Sequence, residues 1–323
     1  MSHRTAPGTR RSRHDGLFYK SLLFAFSLVV FVAAAGFGAY AQTIEVQHEL
    51  GTAAVPVHPQ RVVVFDFGVL DSLDLLGIDV VGLPKSNIPA YLAKYGDDKY
   101  VNVGTLQEPD YEAVNALKPD LIIISSRTAA HYDELAKLAP TIYIGPDFAD
   151  YLGSVKKDMR TLGRIFGVED QVEAELAKID AAVARVRSLS QGKSALILLI
   201  TGGRASAYGP GSRYGFIHDE FGVTPVDDTI VSSTHGQSIS WEYVVVRDPD
   251  YLFVIDRDAV VAGGAGQTAR QVVENELVML TRAYRNGHIV YLEPSYWYLS
   301  GGGLQSLAMI IAAIEQALSL RRT

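Results

Sequence analysis

The sequence predicts an α/β chain of two Rossmann-like lobes, each with a mainly parallel sheet, joined by a single long α-helix. Three observations carry that expectation. First, Glu242, Pro249, Asp250 and Arg257 stand seven, one and seven residues apart, and Glu112, Pro119, Asp120 and Arg127 repeat those steps without a gap. In both copies the Pro-Asp pair opens an apolar run, Leu121–Ile124 or Tyr251–Ile255, and an arginine follows it. Second, short apolar runs rich in β-branched residues alternate with helical patterns, which implies parallel strands covered on both faces. Third, Val168, Val172, Leu176, Ile179, Val183 and Val186 recur at steps of three and four, one stripe on a helix roughly 33 Å long at 1.5 Å per residue. The repeat makes this helix a strut between two similar lobes rather than an ordinary crossover.

In chain order, Gln42–Pro59 reads as an entry hairpin that turns at Gly51, and Arg61–Phe65 as the first buried strand. A short helix over Gly68–Leu76 stops at Gly77, and Val80–Leu83 is a second strand. The helix carrying Glu112, the strand to Ile124, a helix over His131–Leu138 and the strand Thr141–Ile144 complete the first lobe. Gly145–Gly167 is helical with interruptions. The strut has Glu169 and Asp170 in its first turn and Arg185 and Arg187 near its end, as the helix dipole prefers. Ala195–Ile200 begins the second lobe, and a Gly-Pro-Gly loop leads to a helix over Phe216–Phe221. After the second repeat come a glycine-rich loop at Gly263–Gly266, a helix to about Asn286, the strand Ile289–Leu292, a Gly301–Gly303 turn and a closing apolar helix.

The chain has 323 residues, enough for two domains of ordinary size. Its first forty stand apart. Arg4, Arg10, Arg11, Arg13 and Lys20 form a basic head, Ser21–Ala35 is almost wholly apolar, and Ala39-Tyr40-Ala41 places small residues around a bulky one. That is the layout of a secretory signal peptide cleaved before Gln42, with a retained N-terminal anchor helix as the competing reading. The expected division is a signal peptide over 1–41, an N-terminal lobe over 42–167, a connecting helix over 168–191 and a C-terminal lobe over 192–323. No later segment approaches eighteen uninterrupted apolar residues. Without cysteine there is no disulfide, thiolate metal site or lipidated cysteine. Removing residues 1–41 takes five basic and one acidic side chain from totals of 29 and 36, leaving 24 against 35 and a net charge of about −11. This argues against a general nucleic-acid binder, which presents a basic face.

Catalysis has no visible home. Gly209-x-Gly211-x-x-x-Gly215 is one residue too long for a dinucleotide loop and lacks the acidic partner, and Gly192-Lys193-Ser194 lacks the upstream glycine of a phosphate loop. There is no Gly-x-Ser-x-Gly elbow, and the eight histidines include no His-x-x-x-His pair. What remains is Arg127, Arg213, Arg257, His235 and Tyr298, each at a strand end or in a loop leading from one. Open α/β sheets bind ligands beyond the carboxyl ends of their strands.

The segments Ala207–Arg213, Ser233-Thr-His235-Gly, Asp250–Arg257 and Glu293-Pro-Ser-Tyr-Trp-Tyr298 resemble the periplasmic binding proteins for ferric catecholate siderophores, the ferric-enterobactin-binding proteins among them. The resemblance runs over the whole mature chain and is densest from Ala207 to Leu304. The Pro-Asp motifs alone support only the wider family, which also carries cobalamin, haem and hydroxamate siderophores. It implies a periplasmic, non-enzymatic monomer with no intrinsic cofactor, which captures an iron(III) chelate between its lobes and hands it to an inner-membrane ABC permease. Arg127, Arg213 and Arg257 are implied to face the chelate. Three arginines match the −3 charge of an iron tris-catecholate, and a charge pair about 4 Å apart is worth roughly 4 kcal/mol at an effective dielectric near 20.

His235 and Tyr298 are implied to fill the two iron positions that a tetradentate bis-catechol leaves open, phenolate being a hard donor suited to iron(III). Tyr296 is the competing phenol. Glu112 and Glu242, at equivalent places in the repeat, are implied to dock onto permease arginines. The alternatives are a binder of another iron chelate, haem or cobalamin, and an exported α/β enzyme acting on a small anionic substrate.

Overall fold

A computed structural model describes residues 1–5, 8, 42–231, 235–261 and 266–319. Most of the segment read as a signal peptide, with Ser233, Thr234 and Gly263–Gly264, lies outside the described residues. Residues 43–323 cluster as one compact unit. Among the described residues no helix is long and apolar enough to cross a membrane.

The chain enters through the antiparallel hairpin β1 (Thr43–His48) and β2 (Gly51–Pro56). The first lobe is built on a parallel sheet ordered β5-β4-β3-β6-β7. Its strands are β3 (Val62–Val64), β4 (Gly82–Leu83), β5 (Val101–Asn102), β6 (Leu121–Ile124) and β7 (Thr141–Tyr143). β3 and β6 are wholly buried, as their unbroken apolar runs require. The second sheet runs β11 (Gln237–Ser238), β9 (Arg204–Tyr208), β8, β12, β13, with β10 (Thr224–Pro225) pairing the start of β8. Here β8 (Ser194–Thr201), β12 (Tyr251–Asp256) and β13 (Ile289–Leu292) are parallel.

The two copies of the repeat fold alike. Helices Tyr111–Leu117 and Trp241–Arg247 are capped at their N-termini by Asp110 and Ser240. Each ends on a non-glycine residue in the left-handed region, Lys118 (φ 46°) and Asp248 (φ 42°). The proline that follows disfavours a further helical residue, so the chain must turn there. The aspartate after it then braces the neighbouring strand. Asp120 accepts the N–H groups of Gln60 and Arg61 at 2.8 and 2.9 Å, and Asp250 accepts the N–H and hydroxyl of Ser194 at 2.9 and 2.8 Å. The Pro-Asp pair thus clamps the amino edge of each sheet, leaving the arginine to emerge at the carboxyl edge.

The strut is a helix over Glu169–Ser190, and it buries Val172, Leu176, Ile179, Val183 and Val186 along one face. That face packs on helices Tyr151–Phe166 and Leu304–Ser319. Exposed ion pairs staple it to both, Arg160 to Glu173 at 2.6 Å and Arg185 to Glu315 at 2.8 Å. One continuous core runs through both lobes, from Leu121 and Ile142 to Ile197 and Phe253.

Several elements differ from expectation. β9 (Arg204–Tyr208) and β11 (Gln237–Ser238) are antiparallel strands that the sequence reading passed over. β9 arises because Gly202 and Gly203 both adopt positive φ, the geometry of a two-residue hairpin turn, and fold the chain straight back along β8, and β11 then pairs with β9. The expected helix to Asn286 is three short pieces, Ala269–Val273, Val278–Leu280 and Arg282–Arg285. Asn275 breaks it by accepting the N–H groups of Leu277 and Val278, and Thr281 caps the last piece. The helix expected over His131–Leu138 is regular only from Tyr132 to Leu135, after a turn of 3-10 helix.

Candidate functional site

The carboxyl ends of the two sheets open onto a cleft of about 990 Å³. Arg127 enters it three residues beyond β6. Arg213 enters from the loop between β9 and helix Phe216–Asp219. That loop is held from within: Ser212 Oγ donates to the Gly209 carbonyl at 2.5 Å, and Gly211 N–H donates to Asp219 at 2.7 Å. A side chain at Gly215 would stand 2.7 Å from the Gly209 carbonyl, so the tight turn requires glycine. Tyr298 comes from a five-residue π-turn, Ser295–Leu299, that follows β13.

These residues converge on Tyr298. Its carbonyl accepts from Arg127 Nη2 at 2.6 Å and from Arg213 Nη2 at 2.8 Å. Arg257 Nε donates to its hydroxyl at 2.8 Å. The three guanidinium carbons lie 5.6, 4.5 and 5.5 Å from the ring centre, for Arg127, Arg213 and Arg257. Burial alone would raise the phenol's pKa. The Arg257 bond and the charges of the three arginines outweigh it, so the phenol sits below its ordinary value. Burial and the nearby Arg213 charge hold Arg127 below the usual arginine range.

Among the described residues neither Arg127 nor Arg213 makes an ion pair with a carboxylate, and both are only partly exposed. Asp66, on the same cleft wall, offsets part of the cost to Arg127 from a distance, and a half-buried cation with no carboxylate in contact remains costly, so an anion entering the cleft relieves that cost. Arg257 differs: its contact with the site is the bond to the Tyr298 hydroxyl, and its Nη1 lies 3.6 Å from Asp258. His235 lines the cleft and is solvent-exposed. Among the described residues no group of three His, Cys, Asp or Glu side chains is arranged to hold a resident metal.

Sequence reasoning missed the rest of the wall. Tyr151, Phe216 and Trp297 form a stack, with ring centres 4.3 and 5.5 Å apart. Tyr214 is 1% exposed, lines the cleft, and its hydroxyl has no hydrogen-bond partner among the described residues. Only the neighbour position beside Arg213 could have signalled it. Asp158 also lines the cleft. Burial pushes its carboxyl up to about 7, against the opposing Gly145 N–H bond at 3.0 Å. Glu112 and Glu242 lie elsewhere, exposed in the first turns of the two equivalent helices.

Comparison with known proteins places this architecture. Residues 62–296 match the family model described as periplasmic binding protein. The chain belongs to the periplasmic binding protein family. Within it, the chain is 50% identical over 284 residues to the petrobactin-binding protein YclQ of Bacillus subtilis, covering 86% of this chain and 89% of that one. It is 35% identical over 275 residues to the ferric-anguibactin-binding protein FatB of Vibrio anguillarum, covering 83% and 85%. The crystal structure of the periplasmic catecholate-siderophore binding protein VctP of Vibrio cholerae superposes with a TM-score of 0.82 at 38% identity, covering 85% of this chain and all of that one.

Proposed function

We propose that the protein captures a ferric catecholate siderophore in the cleft and delivers it to an ABC permease in the inner membrane. The observation that carries this reading is the pair of partly buried guanidinium groups, Arg127 and Arg213, that meet over Tyr298 with no carboxylate in ion-pair contact among the described residues. An anionic chelate supplies a counter-charge in direct contact, and planar guanidinium groups can stack on catechol rings as well as donate to their oxygens. Arg257 acts through the phenol, keeping the Tyr298 hydroxyl aimed and favouring its ionised form. Tyr298 and His235 occupy the two iron positions left open by a tetradentate ligand. The named cargoes of the relatives, petrobactin and anguibactin among them, support an iron chelate as the solute class. The chain works as a binding protein and not an enzyme, as a monomer with the iron complex as cargo rather than cofactor. It is exported on the signal segment over 1–41, with the lobes 42–167 and 192–323 on either side of the helix over 168–191.

Asp158 gives the site a pH dependence. With its carboxyl near 7, the free protein carries it half-protonated at neutral pH, and rising pH adds a negative charge to the cleft wall. Affinity for a preformed anionic tris-catecholate should therefore fall between about pH 6 and 8, by roughly 1 kcal/mol or several-fold. In Asp158→Asn the profile should be flatter, and an unchanged profile in that variant would remove Asp158 from the account.

Glu112 and Glu242 serve as the permease-facing charges, one on each lobe at equivalent helix positions. Reversing both, with Glu112→Arg and Glu242→Arg, should abolish siderophore-dependent iron uptake by cells while leaving solution affinity within about twofold, since exposed charges away from the cleft are weakly felt there. Normal uptake by the double variant would contradict the docking role.

A further inference from the structure

Asp71 is fully buried on the first-lobe helix Phe67–Leu75, yet its carboxylate is spent on the far end of the chain. Oδ1 accepts Gln305 N–H at 2.9 Å, and Oδ2 accepts Ser306 N–H at 2.7 Å, at the open start of helix Leu304–Ser319. Beside it Ser72 Oγ accepts Leu304 N–H at 3.0 Å. Tyr91, also from the first lobe, donates its hydroxyl to Asp71 Oδ2 at 3.0 Å, and that hydroxyl lies 2.7 Å from Ser300 Oγ. Ser300 in turn closes the turn that bears Tyr298. Its Oγ and its N–H both reach the Ser295 carbonyl, at 2.9 and 3.1 Å, and its own carbonyl accepts from Ser306 Oγ at 2.6 Å.

We propose that Asp71 and Tyr91 are positioning residues for the ligand site, fixing both ends of the Ser295–Ser300 turn and thereby the direction in which Tyr298 is presented. This rests on the reading of Tyr298 as an iron-contacting phenol. The backbone leaves little slack around the linkage. A side chain at Gly68 would stand 2.9 Å from the Ser300 carbonyl, and one at Gly303 would stand 2.5 Å from Asp71 Oδ2. The Tyr91 ring also packs on Tyr296, centres 4.8 Å apart, which keeps the competing phenol turned against the first lobe. The Tyr298 carbonyl is gripped by one arginine from each lobe, so a turn anchored at Asp71 ties the site's phenol to the first lobe although its sequence belongs to the second. Burial pushes the Asp71 carboxyl up to about 6, opposed by its Ser306 and Gln305 bonds, which leaves it mostly the charged acceptor its donors require at neutral pH.

The test uses the mature protein with two probes, the ferric complexes of a tetradentate bis-catecholamide and of a hexadentate tris-catecholamide. Tyr91→Phe removes one hydroxyl and keeps the ring, so it should fold. Its affinity for the tetradentate complex should drop about tenfold, the scale on which groups that orient metal ligands act. Affinity for the hexadentate complex should stay within about twofold, and the phenolate-to-iron charge-transfer band of the tetradentate complex should shift. Asp71→Asn should do the same or more. Equal affinities and an unmoved band in Tyr91→Phe would overturn the proposal whatever Asp71→Asn does, and so would an equal loss for both probes. Tyr298→Phe in parallel separates the two readings. If it weakens the tetradentate complex while Tyr91→Phe does not, only the positioning role falls. If Tyr298→Phe changes nothing, the iron-contact reading and the positioning role fall together.

Discussion

Replacing Arg213 by alanine is expected to weaken binding of a ferric tris-catecholate by about 3 kcal/mol, roughly a hundredfold, measured by fluorescence titration. Arg213 has the shortest distance to the Tyr298 ring of the three arginines, 4.5 Å, and it has no carboxylate partner among the described residues. Arg127→Ala should lose a similar amount, since that guanidinium is more deeply held and already strained by burial and by its neighbour's charge. The two losses should not add. Each arginine raises the electrostatic cost of the other, so removing one relieves repulsion on the survivor, and a double variant should fall short of the sum. Lysine at either position should recover only part of the loss, because an ammonium reproduces the charge but not the planar fork. Wild-type affinity in Arg213→Ala would show that the arginine pair does not hold the cargo.

Removing the phenol should separate two kinds of cargo. Tyr298→Phe should cost a tetradentate bis-catechol complex roughly ten- to a hundredfold in affinity, while the hexadentate complex, whose iron has no open position, loses little. The free phenol already lies below its ordinary pKa because Arg257 donates to it and three cations surround it, so the barrier to delivering a phenolate to iron(III) is partly removed in advance. His235→Ala should show the same selectivity with a smaller loss, since its ring is exposed and neutral imidazole is the less discriminating donor. Arg257→Ala should resemble Tyr298→Phe more than Arg213→Ala, because its guanidinium reaches the cleft through the phenol. Equal losses for both complexes in Tyr298→Phe would refute the iron-ligand role.

How much of this was legible beforehand differs by element. The repeat was visible because both copies need the same chemistry: a proline that ends a helix on a left-handed residue, and an aspartate that braces N–H groups at the start of the neighbouring strand. The strut was visible because its stripe repeats over twenty-two residues. The hairpin at Gly202–Gly203 was hidden because its return strand, Arg204–Tyr208, carries its alternation on two alanines, too small to signal a buried strand, and owes its place to pairing with β8. The helix expected before Asn286 failed because Asn275 and Thr281 capture backbone donors locally. At the site, the arginines, His235 and Tyr298 were chosen from strand ends and from resemblance. Their convergence on one phenol was not predictable, since it depends on a π-turn that no spacing announces. Tyr214, the aromatic stack and Asp71 are long-range features; Asp71 and Ser306 are 235 residues apart.

The central claim is that the paired arginines make this cleft a receptor for an anionic catecholate chelate of iron. The most direct measurement is a side-by-side fluorescence titration of the mature protein with ferric bis-catecholate, tris-catecholate and hydroxamate complexes. Trp297 stacks in the cleft wall and should report each event. The account predicts tight, saturable quenching by both anionic catecholates and at least about a hundredfold weaker response to a neutral hydroxamate complex, the worth of roughly 3 kcal/mol of charge recognition. Equal or tighter binding of the neutral complex, or no response to either catecholate, would contradict it.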